Sequence, residues 1–222
     1  VASAQVKSAI LLAGLQAKGK TTVVEPMPSR DHTERLIRHL GGKINVTAST
    51  VELEGPQTLT GGTIRVPGDI SSAAFLIAAA LLLEGSDLTI KNVCLNPTRT
   101  GILTVLKKMG ADVRTELTEA AGGEPVGSLH VKYGPLRGVT LEDPELIPNI
   151  IDEIPILAIL AASAHGATLI RGAKELRVKE TDRIKAICDN LKAVGANVEE
   201  YEDGFRVEGP VKFRGATIDS RK

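Results

Sequence analysis

The sequence predicts an α/β fold of the α+β kind, assembled from an internal repeat, and three observations carry that expectation. The order helix, strand, helix, strand, strand recurs along the chain. The copies close alike, at Glu54-Gly55-Pro56, Tyr133-Gly134-Pro135 and Glu208-Gly209-Pro210, and their second helices end alike, at Leu40-Gly41, Met109-Gly110 and Val194-Gly195. The first helix of each copy is apolar nearly all round, which asks for burial on every side, while the strands alternate and carry charges, which leaves one sheet face in water. Helices inside and sheets outside follow.

In the first copy an apolar helix runs over 4–17, with Ser3, Gln5, Lys7 and Ser8 gathered at its start, and Gly19 stops it. Thr21–Val24 reads as a strand. A second helix opens at Ser29 or Asp31, with Glu34 completing a capping box and Leu36, Ile37 and Leu40 inward. Strands at 44–47 and 50–53 follow. The second copy repeats this with a helix over 71–83, a strand over 88–90, and a helix led by Asn96-Pro97 with Ile102, Val105, Leu106 and Met109 buried. Strands at 112–115 and 128–132 flank a flexible loop over 119–127. In the third copy the apolar run 154–164 precedes a strand over 167–170, a helix after Thr181, and strands at 197–200 and 204–207.

A hydrophobic share of 42% is enough for a core, and with aromatics at only 2% and no Trp that core is aliphatic. Lys+Arg and Asp+Glu each number 27, so charge makes no case for nucleic acid, and base-stacking platforms lack their aromatics. The longest apolar runs fall short of the roughly 20 residues that span a bilayer, so no membrane partner is expected. Cys94 and Cys188 form neither a disulfide framework nor a metal cluster and read as buried thiols in a reducing cytoplasm. His32, His39, His130 and His165 show no metal-ligand spacing. The pattern over 14–21, Gly-Leu-Gln-Ala-Lys-Gly-Lys-Thr, satisfies the phosphate-loop consensus, but a helix precedes it and a strand follows, the reverse of what that chemistry needs.

Chemistry gathers at Arg177-Val178-Lys179-Glu180-Thr181-Asp182-Arg183, where five of seven side chains ionise and an apolar helix follows. With Thr181 as N-cap and Asp182 in the first turn, Lys179 and Glu180 precede a helix N-terminus, where an anion is favoured. Glu180, a carboxylate among cations, suits proton transfer; a solvated, charge-balanced helix start is the plainer alternative. Aligning the copies on their glycines brings Gln5, Ser71 and Asp152 to one position and Arg30 and Arg99 to another, with Arg183 one residue off. Such a set suits a substrate bearing phosphates or carboxylates. Asn96, Ser71 and Ser72 also read as helix caps, and Arg99 as a structural ion-pair partner.

The Arg177–Arg183 run, with Val66-Pro67-Gly68-Asp69-Ile70-Ser71-Ser72-Ala73, Asn96-Pro97-Thr98-Arg99 and Ser3-Ala4-Gln5, resembles the signature of the 5-enolpyruvylshikimate-3-phosphate synthase family, in order and over nearly the whole chain. The resemblance implies an inside-out α/β barrel of repeated βαβαββ units, incomplete at both ends. Residues 1–58 would be the last unit of one domain, its first strand missing, and 59–222 a second domain of two full units and the start of a third, with the crossing at 56–62. It implies transfer of the enolpyruvyl group of phosphoenolpyruvate to the 5-hydroxyl of shikimate 3-phosphate, through a tetrahedral intermediate and with release of phosphate, needing no cofactor or metal. By the same resemblance Glu180 transfers protons, Asp152 lies near the reacting hydroxyl, and Arg183 helps hold phosphoenolpyruvate. Lys179, Ser3, Gln5, Ser29 and Arg30 face the acceptor, with Ala4 standing where some members have a second Ser. Phosphoenolpyruvate contacts that the family draws from before Val1 and beyond Lys222 are expected to be missing. The chain is therefore expected to be an interior fragment, inactive or nearly so alone, of an enzyme that is a monomer at full length. The sister transferase acting on UDP-N-acetylglucosamine and a non-catalytic repeat module are the alternatives.

Overall fold

The computed structural model describes residues 3–218, so the chain ends at Val1-Ala2 and Asp219–Lys222 lie outside it. The first unit runs α1 (Ala4–Gly14), β1 (Gly19–Val24), α2 (His32–His39), β2 (Ile44–Val46) and β3 (Thr50–Gly55). The second runs α3 (Ile70–Leu82), β4 (Asp87–Cys94), α4 (Gly101–Lys108), β5 (Asp112–Ala121) and β6 (Glu124–Lys132). The third runs β7 (Thr140–Leu141), α5 (Leu146–Ile150), α6 (Ile154–Ser163), β8 (Gly166–Ile170), a 3₁₀ turn (Lys174–Val178), α7 (Arg183–Ala193), β9 (Asn197–Tyr201) and β10 (Gly204–Gly209).

The repeat is repeated in the pairing. Sheet orders are β1-β3-β2, β4-β6-β5 and β7-β8-β10-β9, so in each unit the last strand sits between the other two. The third unit adds β7, parallel to β8. In the second unit that leading strand shrinks to one parallel bridge, Gly68 with Val93. Gly41, Gly110 and Gly195 take φ of 81°, 82° and 102°. These left-handed angles stop the second helices where a residue with a Cβ would be strained.

Buried side chains fall into two cores. The larger joins α3, α4, α6 and α7 to the second and third sheets, from Ile77 and Leu81 through Leu157 and Leu160 to Ile184 and Phe205. The smaller holds Leu11, Leu15, Ile37, Val51 and Leu53 of the first unit. α3 packs on α6, and α6 on α7. The expectation of helices buried on every side is met best where helix faces helix. α1 and α3 depart from it: Val6 and Leu12, and Phe75 and Leu76, are exposed, and α1 packs chiefly on β1 and β3 of its own sheet, with Lys7 and Ser8 reaching α2.

Several local expectations are corrected. The loop over 119–127 is a hairpin, β5 and β6 pairing as far as Ala121 with Glu124 around Gly122-Gly123. Those glycines, at φ of 60° and 83°, supply the turn. α4 starts at Gly101 rather than after Asn96-Pro97. Asn96 Oδ1 accepts from Thr98 N at 2.8 Å, an Asx turn that ends before the helix. The N-cap of α7 is Asp182, whose Oδ1 accepts from Lys185 N at 2.9 Å, rather than Thr181. The capping box at Asp31 and Glu34 does not form: Asp31 makes no cap bond, and Glu34 pairs with Lys7. α5, missed because Pro148 interrupts its five residues, is pinned by buried Leu146, Ile147 and Ile150. The 14–21 segment is helix, turn and strand, without a helix after the turn to bind phosphate.

Candidate active site

The three arginines that fall at related repeat positions surround one carboxylate. Arg30 Nη1 lies 4.0 Å from Asp152 Oδ2, Arg99 Nη1 3.8 Å from the same oxygen, and Arg183 Nη1 3.7 Å from Oδ1. Each comes from a different unit: Arg30 from the loop before α2, Arg99 from the loop before α4, Arg183 from the first turn of α7. Asp152 lies in the turn leading into α6. Its side chain keeps 38% of its exposure, and the three distances exceed hydrogen-bond length. The carboxylate is therefore held by charge while its lone pairs stay available.

Glu180 joins the cluster through Arg183. Its Oε1 accepts from Arg183 Nη2 at 2.7 Å and Nε at 3.0 Å, and the side chain stays exposed. A hydrogen bond from its own backbone N–H, then the Arg183 guanidinium, holds its carboxyl below the usual carboxylate range. The neighbours in this run do different work. Arg177 donates to Asp182 Oδ2 at 2.9 Å, Glu200 Oε1 at 2.8 Å and the Glu202 carbonyl at 2.9 Å, clamping the 3₁₀ turn to the hairpin of β9 and β10. Arg177 and Asp182 thus fix the loop, while Arg183 reaches toward Asp152 and holds the exposed Glu180. Lys179 pairs with Glu175, one turn back.

Ser3 caps α1, its Oγ accepting from Val6 N at 3.4 Å and lying 3.4 Å from Gln5 Oε1. Ala4 is half-buried in that first turn and Gln5 exposed. Ser29 donates to Glu25, and its carbonyl accepts from Lys7 Nζ at 3.4 Å, so the loop carrying Ser29 and Arg30 is tied to α1. Thus the structure brings Arg30, Asp152, Glu180 and Arg183 into one cluster and ties Ser29 to α1, which carries Ser3, Ala4 and Gln5 on its first turn. A cavity of about 410 Å³ opens beside the cluster, lined by Arg30, Arg99, Asp69, His32, Pro67 and Glu124 among others.

Three arrangements escaped the sequence reading. Lys7, 3% exposed, pairs with Glu34 at 2.7 Å and Glu25 at 2.9 Å; its place in an apolar helix was the one signal available. Asn96, fully buried, donates to Asp31 at 2.7 Å and Glu124 at 2.8 Å, and His32 Nδ1 lies 2.7 Å from Glu124 Oε1, joining the first two units. Ser71 is no cap: it donates to Glu153 and accepts from Arg99 Nη2 at 2.6 Å, while Asp69 caps α3 through Ser72 N at 3.0 Å. Cys94 and Cys188 are both buried and unpaired, as expected. Among the described residues no group of three or more His, Cys, Asp and Glu is arranged to hold a metal, and no helix is long and apolar enough to cross a membrane.

Helices α3, α6 and α7 packed together behind the second and third sheets fit an inside-out enolpyruvyl-transferase fold, and solved structures share it. EPSP synthase from Acinetobacter baumannii superposes with a TM-score of 0.93 at 46% identity, over 99% of this chain and 51% of that one. The enolpyruvyl transferase NikO from Streptomyces tendae, at 22% identity and a TM-score of 0.66 over 92% of this chain and 46% of that one, shares the fold alone. The chain belongs to the EPSP synthase (3-phosphoshikimate 1-carboxyvinyltransferase) family, whose model matches residues 1–222. Relatives named 3-phosphoshikimate 1-carboxyvinyltransferase include one from Carboxydothermus hydrogenoformans, 54% identical over 99% of this chain and 51% of its own length. Another, from Petrotoga mobilis, is 56% identical over 97% of this chain and 50% of its own length. The chain spans about half the length of the curated relatives it matches.

Proposed function

We propose that this chain carries acceptor-binding and proton-transfer residues of an enolpyruvyl transferase acting on phosphoenolpyruvate and shikimate 3-phosphate, in the route to aromatic amino acids. The observation that supports this most is the meeting of Arg30, Arg99 and Arg183 around Asp152, with Glu180 on Arg183. In the proposed reaction the acceptor's 5-hydroxyl adds to C2 of phosphoenolpyruvate while C3 takes up a proton. The tetrahedral adduct then loses phosphate as a proton leaves the new methyl group. Asp152, with free lone pairs, takes the hydroxyl proton. Glu180 exchanges the proton at C3, and its ionised resting state suits the removal half of that exchange. Arg183 holds the donor's phosphate or carboxylate; Lys179, Ser3, Gln5, Ser29 and Arg30 hold the acceptor. Ala4, lacking a hydroxyl, contributes shape alone.

Two separate cores support reading residues 1–58 as completing one domain and 59–222 as building another. We further read the enzyme as cytoplasmic and, at full length, a monomer without membrane partners; balanced charge and scarce aromatics support the absence of nucleic-acid partners, and two unpaired thiols fit a reducing compartment. The test is phosphate release from phosphoenolpyruvate. Any release is expected to require shikimate 3-phosphate and to fall by roughly 10²-fold or more in Glu180→Gln, and a chain that releases little or none alone is expected still to bind shikimate 3-phosphate. Release indifferent to the acceptor, or no release together with no acceptor binding, would overturn the reading.

A further inference from the structure

We infer that Arg99 is a positioning residue for Asp152, an inference that rests on the site reading above. Its guanidinium, 15% exposed, spans the seam between the second and third units. Nη2 donates to Asp69 Oδ1 at 2.7 Å and to Ser71 Oγ at 2.6 Å, both at the N-terminus of α3. Nη1 faces Asp152 Oδ2 at 3.8 Å. Ser71 in turn donates to Glu153, the residue after Asp152, which is 3% exposed at the entry to α6.

Arg99 therefore reaches Asp152 by two routes. One is the direct field of the guanidinium. The other runs through Ser71 and Glu153 to the backbone that carries Asp152, so the acid is placed against α3 as well as within its own turn. The direct arm stops short of a hydrogen bond, which keeps Asp152 oriented without occupying the lone pair that an incoming hydroxyl needs. The planar fork is what permits this division: one nitrogen is anchored on Asp69 and Ser71 while the other is aimed at Asp152, and a single ammonium could not do both. Arg30 and Arg183 flank the same carboxylate without this second route, Arg30 from a loop of the first unit and Arg183 while also holding Glu180.

The test is the ¹³C carboxyl signal of Asp152 in the folded chain, assigned by its loss in Asp152→Asn, compared among wild type, Arg99→Gln, Arg99→Lys and Ser71→Ala. The signal is expected to move in Arg99→Gln, to move less and in the same direction in Ser71→Ala, and to return only in part in Arg99→Lys. Where turnover is measured, Arg99→Gln lowers the saturated rate by about 10- to 100-fold with KM within about twofold, because Arg99 orients the acid and does not hold substrate. An unmoved Asp152 signal in Arg99→Gln and Ser71→Ala overturns the inference; should Arg99→Gln fail to fold, Ser71→Ala, which keeps every charge, decides it. Absence of turnover together with absence of acceptor binding in the wild type counts against the proposed reaction, while the Asp152 signal still decides the positioning role.

Discussion

Arg30 and Arg183 stand on either side of the Asp152 carboxylate, 4.0 Å from one oxygen and 3.7 Å from the other, although 153 positions separate them (183 − 30). With Arg99 they concentrate three positive charges on one acid. Asp152→Asn should therefore act in opposite directions on two measurements. Inorganic phosphate should bind roughly tenfold more tightly, because the carboxylate no longer competes for the guanidinium field. Turnover should fall by about 10²-fold or more, because the proton acceptor is gone. Weaker phosphate binding would show that Asp152 organises the arginines rather than offsetting them.

Among the described residues Lys7 is the one cation paired with two buried acids, Glu25 and Glu34, at 2.9 and 2.7 Å. Burial pulls its pKa down, but hydrogen bonds to Glu34 and Glu25 outweigh that and leave it above the usual lysine value. Lys7→Ala should cost about 3–5 kcal/mol in urea unfolding, since two carboxylates are left buried with no cation. A loss below about 1 kcal/mol would mean that water reaches them.

Glu153 gives a pH signature of the opposite kind to the lowered acids. Burial pushes its carboxyl up, against the Ser71 hydrogen bond and the Arg99 charge. Its folded pKa thus exceeds its unfolded one, so the stability it contributes is present below the unfolded value and is lost as pH rises through the folded value. Glu153→Gln should become progressively more favourable relative to wild type from about pH 4 to pH 7, measured by urea unfolding at each pH. A difference that shrinks over this range would contradict the assignment.

Cys188 is fully buried, and burial pushes its thiol up to about 11. Cys94 is raised too, again chiefly by burial. Both should resist iodoacetamide at pH 8 in the folded chain and react promptly in denaturant, as read by mass spectrometry. Rapid alkylation of Cys188 in the native chain would place it in a segment that opens.

Glycine punctuation made the repeat legible, because only glycine is at ease at the left-handed angles of Gly41, Gly110 and Gly195. Element starts were less legible, because Thr181 and Asp182, or Asn96 and Thr100, offer similar capping chemistry and tertiary contacts choose between them. Asn96 shows how: its amide is drawn to Asp31 and Glu124, partners that lie 65 and 28 positions away. The hairpin over 119–127 was hidden by a Gly-Gly turn flanked by small residues that read as loop. Of the site, the charged residues were visible one by one through the repeat and the resemblance. The bridge from Arg99 through Ser71 to Glu153 was not, because it crosses two units and has no local period.

The most direct measurement is a calorimetric titration of this chain with shikimate 3-phosphate, for wild type and Arg30→Gln. Saturable one-to-one binding, weakened about tenfold or more in Arg30→Gln through loss of a charge-assisted contact, is predicted. No binding by the folded wild type, or equal binding by the variant, would contradict the placement of the acceptor beside Asp152.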